Sequence, residues 1–208
     1  MITDNQNKIT YPRATEIALS ELERFQTTYP VSERDELLIK LCAISIFRHK
    51  ELIDGIYSKG KLLGIGIGHR FLIEALIFQS SFIGWPAVLD SISLLIKQKI
   101  NDDLFGVLSF DDEDAVRERG YVNFQNIHGE NSKTVQAMLN NYSPKLFSDI
   151  LLHVYGRYYD LKGITPEEKE IIAVTSLAIL DRGLQLKSHI ISTLNMGLPH
   201  SYINVTLQ

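Results

Sequence analysis

The chain has 208 residues, 45% hydrophobic and 22% charged, and a net charge of −4 from 21 Lys and Arg against 25 Asp and Glu. Such averages exclude collagen-like and broadly disordered chains, and the acidic balance excludes a general nucleic-acid binder, whose phosphate contacts need a clustered basic surface. No uncharged apolar run reaches the roughly eighteen residues of a membrane span, and the polar start Met1-Ile-Thr-Asp-Asn-Gln-Asn lacks a signal peptide's apolar stretch, so a cytoplasmic protein with no membrane partner is expected.

Helical periodicity dominates the chain. Ala14 to Phe25 reads as an amphipathic helix with Ile17, Leu19, Leu22 and Phe25. Ser32 caps a helix carrying Leu37, Leu38, Leu41, Ile44 and Ile46. Arg70 to Phe82 forms a strongly apolar helix that ends at Gly84-Trp85-Pro86, and Pro86 starts the next through Val88, Leu89, Ile92 and Leu95. Asn101 to Arg119 carries Asp102, Asp103, Asp111, Asp112, Glu113 and Asp114, contiguous rather than at EF-hand spacing, and reads as a solvated connector. Leu104 to Phe110 has strand character but no strand nearby to pair with. Ser143-Pro144 opens a helix through Leu146, Ile150, Leu151 and Val154. Thr165, Pro166 and Glu168 form a capping box ahead of an apolar helix from Glu167 to Leu180, with Gly183 as its expected stop. A last helix places Leu186, Ile190, Ile191 and Leu194 on one stripe and ends at Gly197. The fold class is all-α.

Two segments share a grammar. Pro30-Val-Ser-Glu-Arg-Asp-Glu-Leu-Leu-Ile and Gly163-Ile-Thr-Pro-Glu-Glu-Lys-Glu-Ile-Ile both run from a capped acidic start into an apolar helix. Each is followed by a second helix and a glycine stop, near Gly64 or Gly66 and at Gly197. The expected organisation is an N-terminal helical extension (1–30), a first helical-hairpin unit (31–100), the acidic connector (101–130) and a second unit (131–208).

The stretches Glu118-Arg-Gly-Tyr, Ile127-His-Gly-Glu, Ser143-Pro-Lys-Leu, Tyr155-Gly-Arg-Tyr and Gln185-Leu-Lys-Ser-His189-Ile together resemble the carboxymuconolactone decarboxylase family. Glu74-Ala-Leu, followed by Phe82-Ile-Gly-Trp-Pro86, resembles that family's other signature. The resemblance spans residues 31 to 208 and implies an alkylhydroperoxidase D-like helical bundle assembled as a homo-oligomer, a trimer or a hexamer. It also implies cofactor-free loss of carbon dioxide from a lactone acid, or thiol peroxidase chemistry in other branches.

The departures sort these branches. Where the peroxidase branch has two cysteines between an acid and a histidine, this chain has Arg182 and Gln185 between Glu170 and His189. Cys42 is the single cysteine, so a thiol peroxidase is the least favoured reading, and neither a disulfide nor a CxxC redox pair can form within the chain. Arginines common in the decarboxylase branch are replaced around Asp160-Leu161-Lys162 and at Lys169. The first unit has Ile56 or Ser58 where the second has His189. The chain also stops at Gln208, before the second aromatic-Gly-x-Pro helix that the resemblance implies.

His189 is the expected general acid/base, since imidazole titrates near neutrality, and Glu170 is its expected orienting partner. If the turn lay at Gly183, Glu170 would stand about 18 Å from it and His189 about 9 Å at 1.5 Å per residue. Direct pairing then needs a turn near Leu180, a bent connection, or another acid: Glu74, Asp181 or Glu130. Arg182, Lys169, His128 and Trp85 are candidate contacts to a small-molecule substrate. Tyr155, Tyr158 and Tyr159 offer hydroxyls or seal an interface. Gly64-Ile-Gly-Ile-Gly68 lacks dinucleotide-loop spacing and reads as a turn. The histidines show no HExxH or paired spacing, so neither a metal nor any cofactor is expected. The competing function is a non-catalytic helical oligomer that binds a ligand or a protein.

Overall fold

Short polar side chains set the helix starts in the computed structural model, which describes residues 31–49, 52–97 and 112–198. Ser32 accepts from Asp35 N to open α1 (Glu33–Phe47). α2 (Ile53–Leu63) and α3 (His69–Ile83) follow, and Gly84, at φ 80°, is the whole connection to α4 (Trp85–Lys97). Asp112 caps α5 (Glu113–His128), a 3-10 turn at Gly129–Asn131 leads to α6 (Ser132–Tyr142), and Ser143 caps α7 (Pro144–Ile150). α7 continues as a π-helix, Leu151–Tyr158. The Thr165 capping box opens α8 (Pro166–Ile179), and α9 is Gly183–Asn195. The described residues are all helical or turn, as expected.

Two expectations change. The acidic stretch read as a connector is helix from Glu113 to His128, because Val116, Gly120, Phe124 and Ile127 recur every three to four positions behind the acids and are buried on one face. Gly183 does not stop α8 but begins α9. The stop comes earlier, where Asp181 takes the left-handed conformation (φ 53°), Asp181 N donates to Ala178 O and Arg182 N donates to Leu177 O. This is a Schellman turn with an aspartate in the usual glycine place. The Ala14–Phe25 helix and the Leu104–Phe110 segment lie outside the described residues.

The repeat is visible in the backbone. The caps Ser32 and Thr165, the left-handed residues Arg48 and Asp181, and the positive-φ glycines Gly64 and Gly197 each stand 133 positions apart (165 − 32, 181 − 48, 197 − 64). The turn bonds repeat with them, His49 N to Ile44 O matching Arg182 N to Leu177 O. This register resolves the open choice in the first unit: Ile56 is the counterpart of His189, and Leu37 the counterpart of Glu170.

One core joins the hairpins, with Leu37, Leu38 and Leu41 of α1 against Ile171 and Ile172 of α8, closed by Leu72, Leu76 and Phe78 of α3. A smaller cluster gathers Phe124 and Ile127 of α5, Phe147 of α7, and Leu151 and Tyr155 of the π-helix. Here two backbones nearly touch. A Cβ on Gly120 would lie 2.1 Å from Leu151 O, and one on Gly156 would lie 2.6 Å from Val116 O. No described helix is long and apolar enough to cross a membrane.

Candidate functional site

Glu170 sits one turn into α8 and is fully buried, yet a carboxylate without partners would be costly there. Both of its oxygens are satisfied. Oε2 lies 2.9 Å from His189 Nδ1, and Oε1 accepts from the Tyr159 hydroxyl at the end of the π-helix. The pairing follows from the early turn. Ile179 stands about 14 Å beyond Glu170 along α8, and Gly183 about 9 Å before His189 along α9, at 1.5 Å per residue. The two legs then differ by about 5 Å instead of 9 Å, which side chains on crossing helices can span.

The alternative acids are engaged or remote. Glu74 accepts from Gly163 N and pairs with Arg70, while Asp181 and Glu130 are exposed at turns.

With Nδ1 directed at the carboxylate, Nε2 is the imidazole nitrogen left for proton exchange. His189 keeps 15% side-chain exposure and Glu170 none, so a small molecule meets the pair through the imidazole. Phe82 of α3 lies edge-on to His189, ring centroids 5.7 Å apart, and Phe78 lies edge-on to Tyr159 at 5.2 Å. These rings wall the pair in apolar surface.

A second imidazole approaches from α5. His128, the last residue of α5, is buried, because Phe124 and Ile127 draw that face into the second cluster. Its Nε2 lies 2.8 Å from the Tyr155 hydroxyl, and the Tyr155 ring stacks on Tyr159 with centroids 5.2 Å apart and planes within 14°. Burial pushes the His128 pKa down from 6.5 to about 4; the nearby positive charge of His189 adds to this and Glu170 opposes it. Burial also raises both phenols, reinforced by the negative charge of Glu170, so Tyr155 and Tyr159 are protonated donors at neutral pH. Glu170, His189, Tyr159, Tyr155 and His128 thus form one cluster at the meeting of α5, the π-helix, α8 and α9.

The remaining candidates lie elsewhere. Lys169 is buried on another side of α8, where Nζ donates to the carbonyls of Tyr159 (2.9 Å) and Leu161 (2.8 Å), capping the π-helix end. Burial, then the charge of Lys162, lowers it from 10.5 to about 8. Arg182 is exposed in the turn, about 10 Å along α9 from His189. Trp85 is 67% exposed at the start of α4, and Phe82 is the aromatic residue that reaches the site. Cys42 is buried in the core, and burial raises its thiol far above the range of a reactive thiolate.

The sequence offers the phenols as hydroxyls without joining them to the pair. The signal was the four-residue spacing of Tyr155 and Tyr159, which a π-helix brings nearer to one line than an α-helix does.

Comparison with known protein families, curated proteins and solved structures finds no match to this chain.

Proposed function

We propose that the chain is a cofactor-free lyase or isomerase of the carboxymuconolactone decarboxylase type, acting on a small organic acid or cyclic carbonyl compound by proton transfer through His189. One observation carries the reading: the buried Glu170 carboxylate holds His189 through Nδ1 at 2.9 Å, in an apolar setting that keeps a path to the imidazole.

The chemistry follows from that arrangement. Loss of carbon dioxide, or removal of a proton beside a carbonyl, leaves an enolate that must be protonated at carbon. His189 Nε2 delivers or takes that proton, and Glu170 stabilises the imidazolium that forms. Tyr159 fixes the second carboxylate oxygen and so the orientation of the pair. Lys169 is committed to main-chain carbonyls, which leaves Arg182 as the candidate anchor for a substrate carboxylate.

The test is a screen of small lactone acids and cyclic ketones for carbon dioxide release or solvent-deuterium incorporation. His189→Gln is expected to cut turnover about 100-fold or more, the usual scale for a general acid/base. Unchanged turnover in that variant refutes the reading.

Self-association belongs to the same proposal. Trp85 and Leu89 on α4, and Leu184 and Leu194 on α9, are apolar and exposed, and a second copy of the chain would cover such surface. Light scattering that reports a monomer at micromolar concentration would count against it.

A further inference from the structure

We propose that Tyr155 is a second catalytic group of this site, donating its phenolic hydrogen to the oxygen of an enolisable carbonyl substrate, with His128 as the residue that positions it. The inference rests on the proton-transfer reading above and extends it: a base for carbon needs a partner for the oxygen that becomes negative when the enolate forms.

The geometry supplies that partner. His128 Nε2 and the Tyr155 hydroxyl are 2.8 Å apart. When Nε2–H donates to the phenol oxygen, the phenol's own hydrogen is freed to point elsewhere. The imidazole is held neutral by burial, which suits a fixed single-tautomer donor. Tyr155 lies against Tyr159, whose hydroxyl is already bound to Glu170, so Tyr155 stands beside the acid–imidazole pair without being used by it.

The backbone is built to hold it there. Asn123 Nδ2 donates to Tyr155 O at 2.8 Å, and the contact of Gly120 with Gly156 presses the π-helix onto α5, the helix that carries His128. π-Helical segments recur at functional sites.

In the step itself the substrate Cα–H bond breaks, and its proton passes to His189 Nε2. The electron pair moves into the C=C bond as the carbonyl π pair moves onto oxygen, where the Tyr155 O–H donates to it. Return of the proton at the same or a vinylogous carbon restores the carbonyl, with no oxidant or co-reactant needed.

A phenolate carries the oxyanion of an enolate on a flat ring, so 4-nitrophenol, whose ionisation is visible by absorbance, is the probe. The full-length protein is expected to bind 4-nitrophenolate in preference to the phenol. Tyr155→Phe should weaken that binding about ten- to a hundredfold, the scale of one hydrogen bond to a charged acceptor. His128→Leu should weaken it comparably, while His128→Gln, whose side-chain amide can still donate to the phenol, should restore most of it. Circular dichroism identifies variants that remain folded.

Absence of phenolate binding to the wild type, equal binding by folded Tyr155→Phe, or equal loss in His128→Leu and His128→Gln would each overturn the proposal. The underlying reading fails differently. In that case His189→Gln leaves deuterium incorporation unchanged, whatever Tyr155→Phe does to 4-nitrophenolate.

Discussion

Replacing the Glu170–His189–Tyr159 network by hydrocarbon tests whether it exists for chemistry or for stability. Glu170→Leu alone removes the acceptor of two donors, Tyr159 O–H and His189 Nδ1–H. A buried donor left unpaired costs about 1–3 kcal/mol. His189 keeps some exposure, so water can take its share, and the cost centres on the phenol at about 2 kcal/mol. For a chain of this length that lowers the melting temperature by roughly 4–8 °C.

The triple variant Tyr159→Phe, Glu170→Leu, His189→Ile leaves no orphan and removes the burden of burying a carboxylate. The first unit already carries Leu37 and Ile56 at the two equivalent positions, buried and packed, so the scaffold accepts those side chains. Swapping a whole buried ionic network for apolar residues of similar volume is commonly neutral, or stabilising by about 1–4 kcal/mol. The triple variant should therefore match or exceed the wild type in urea or thermal unfolding, with a non-additivity of at least about 2 kcal/mol, and lose all turnover. If the losses of the single variants instead add and the triple variant is the least stable protein, the network is a structural fastening and the catalytic argument fails.

Acid should expose the second imidazole. Because burial depresses His128 to about 4 from 6.5, the unfolded chain binds a proton between those values that the folded chain does not. The stability it contributes is complete above pH 6.5 and is lost as pH falls toward 4, by about 3 kcal/mol. Urea midpoints across that range should fall in the wild type and fall less in His128→Gln. Equal slopes would show that His128 is not held neutral. At the helix crossing, Gly156→Ala brings its Cβ to 2.6 Å from Val116 O, a backbone atom that cannot swing aside. A helical Gly→Ala change ordinarily stabilises by about 1 kcal/mol, whereas here a loss of about 3 kcal/mol is expected. A raised melting temperature would refute the close approach.

The parts of the structure legible in the sequence are those written locally. Ser32, Ser143 and Thr165 cap the helices they were read to cap, and the break before Pro86 stands where proline requires it. Glu170 and His189 were legible as candidates, and their pairing depended on one turn. Gly183 is the obvious residue for a left-handed position, but Asp181 occupies it, because aspartate tolerates that conformation and two main-chain bonds close the turn around it. Two residues of error in the stop decided whether the side chains met. In the sequence Lys169 is a candidate substrate contact; its burial follows from the carbonyls at the end of the π-helix, whose position is set by tertiary packing. The burial of His128 was illegible for the same reason: the crossing of α5 and the π-helix depends on two glycines 36 positions apart (156 − 120).

The repeat explains where the chemistry collects. Both hairpins share the cap, the left-handed turn and the glycine stop at a constant interval, so the same two positions face inward in each. In the first unit these positions hold Leu37 and Ile56 and belong to the main core. In the second they hold Glu170 and His189, and what differs is the neighbourhood. There the end of the π-helix brings the Tyr159 phenol, which donates to the buried acid from outside the hairpin, with Tyr155 stacked on it and His128 bonded to Tyr155. A carboxylate at position 37 would stand in the main hydrophobic core, the cluster that holds Leu38, Leu41, Leu72 and Ile172. The ionic pair is therefore confined to the unit that the Tyr159 hydroxyl reaches. A variant that straightens the π-helix should disable Glu170 and His189 without touching either.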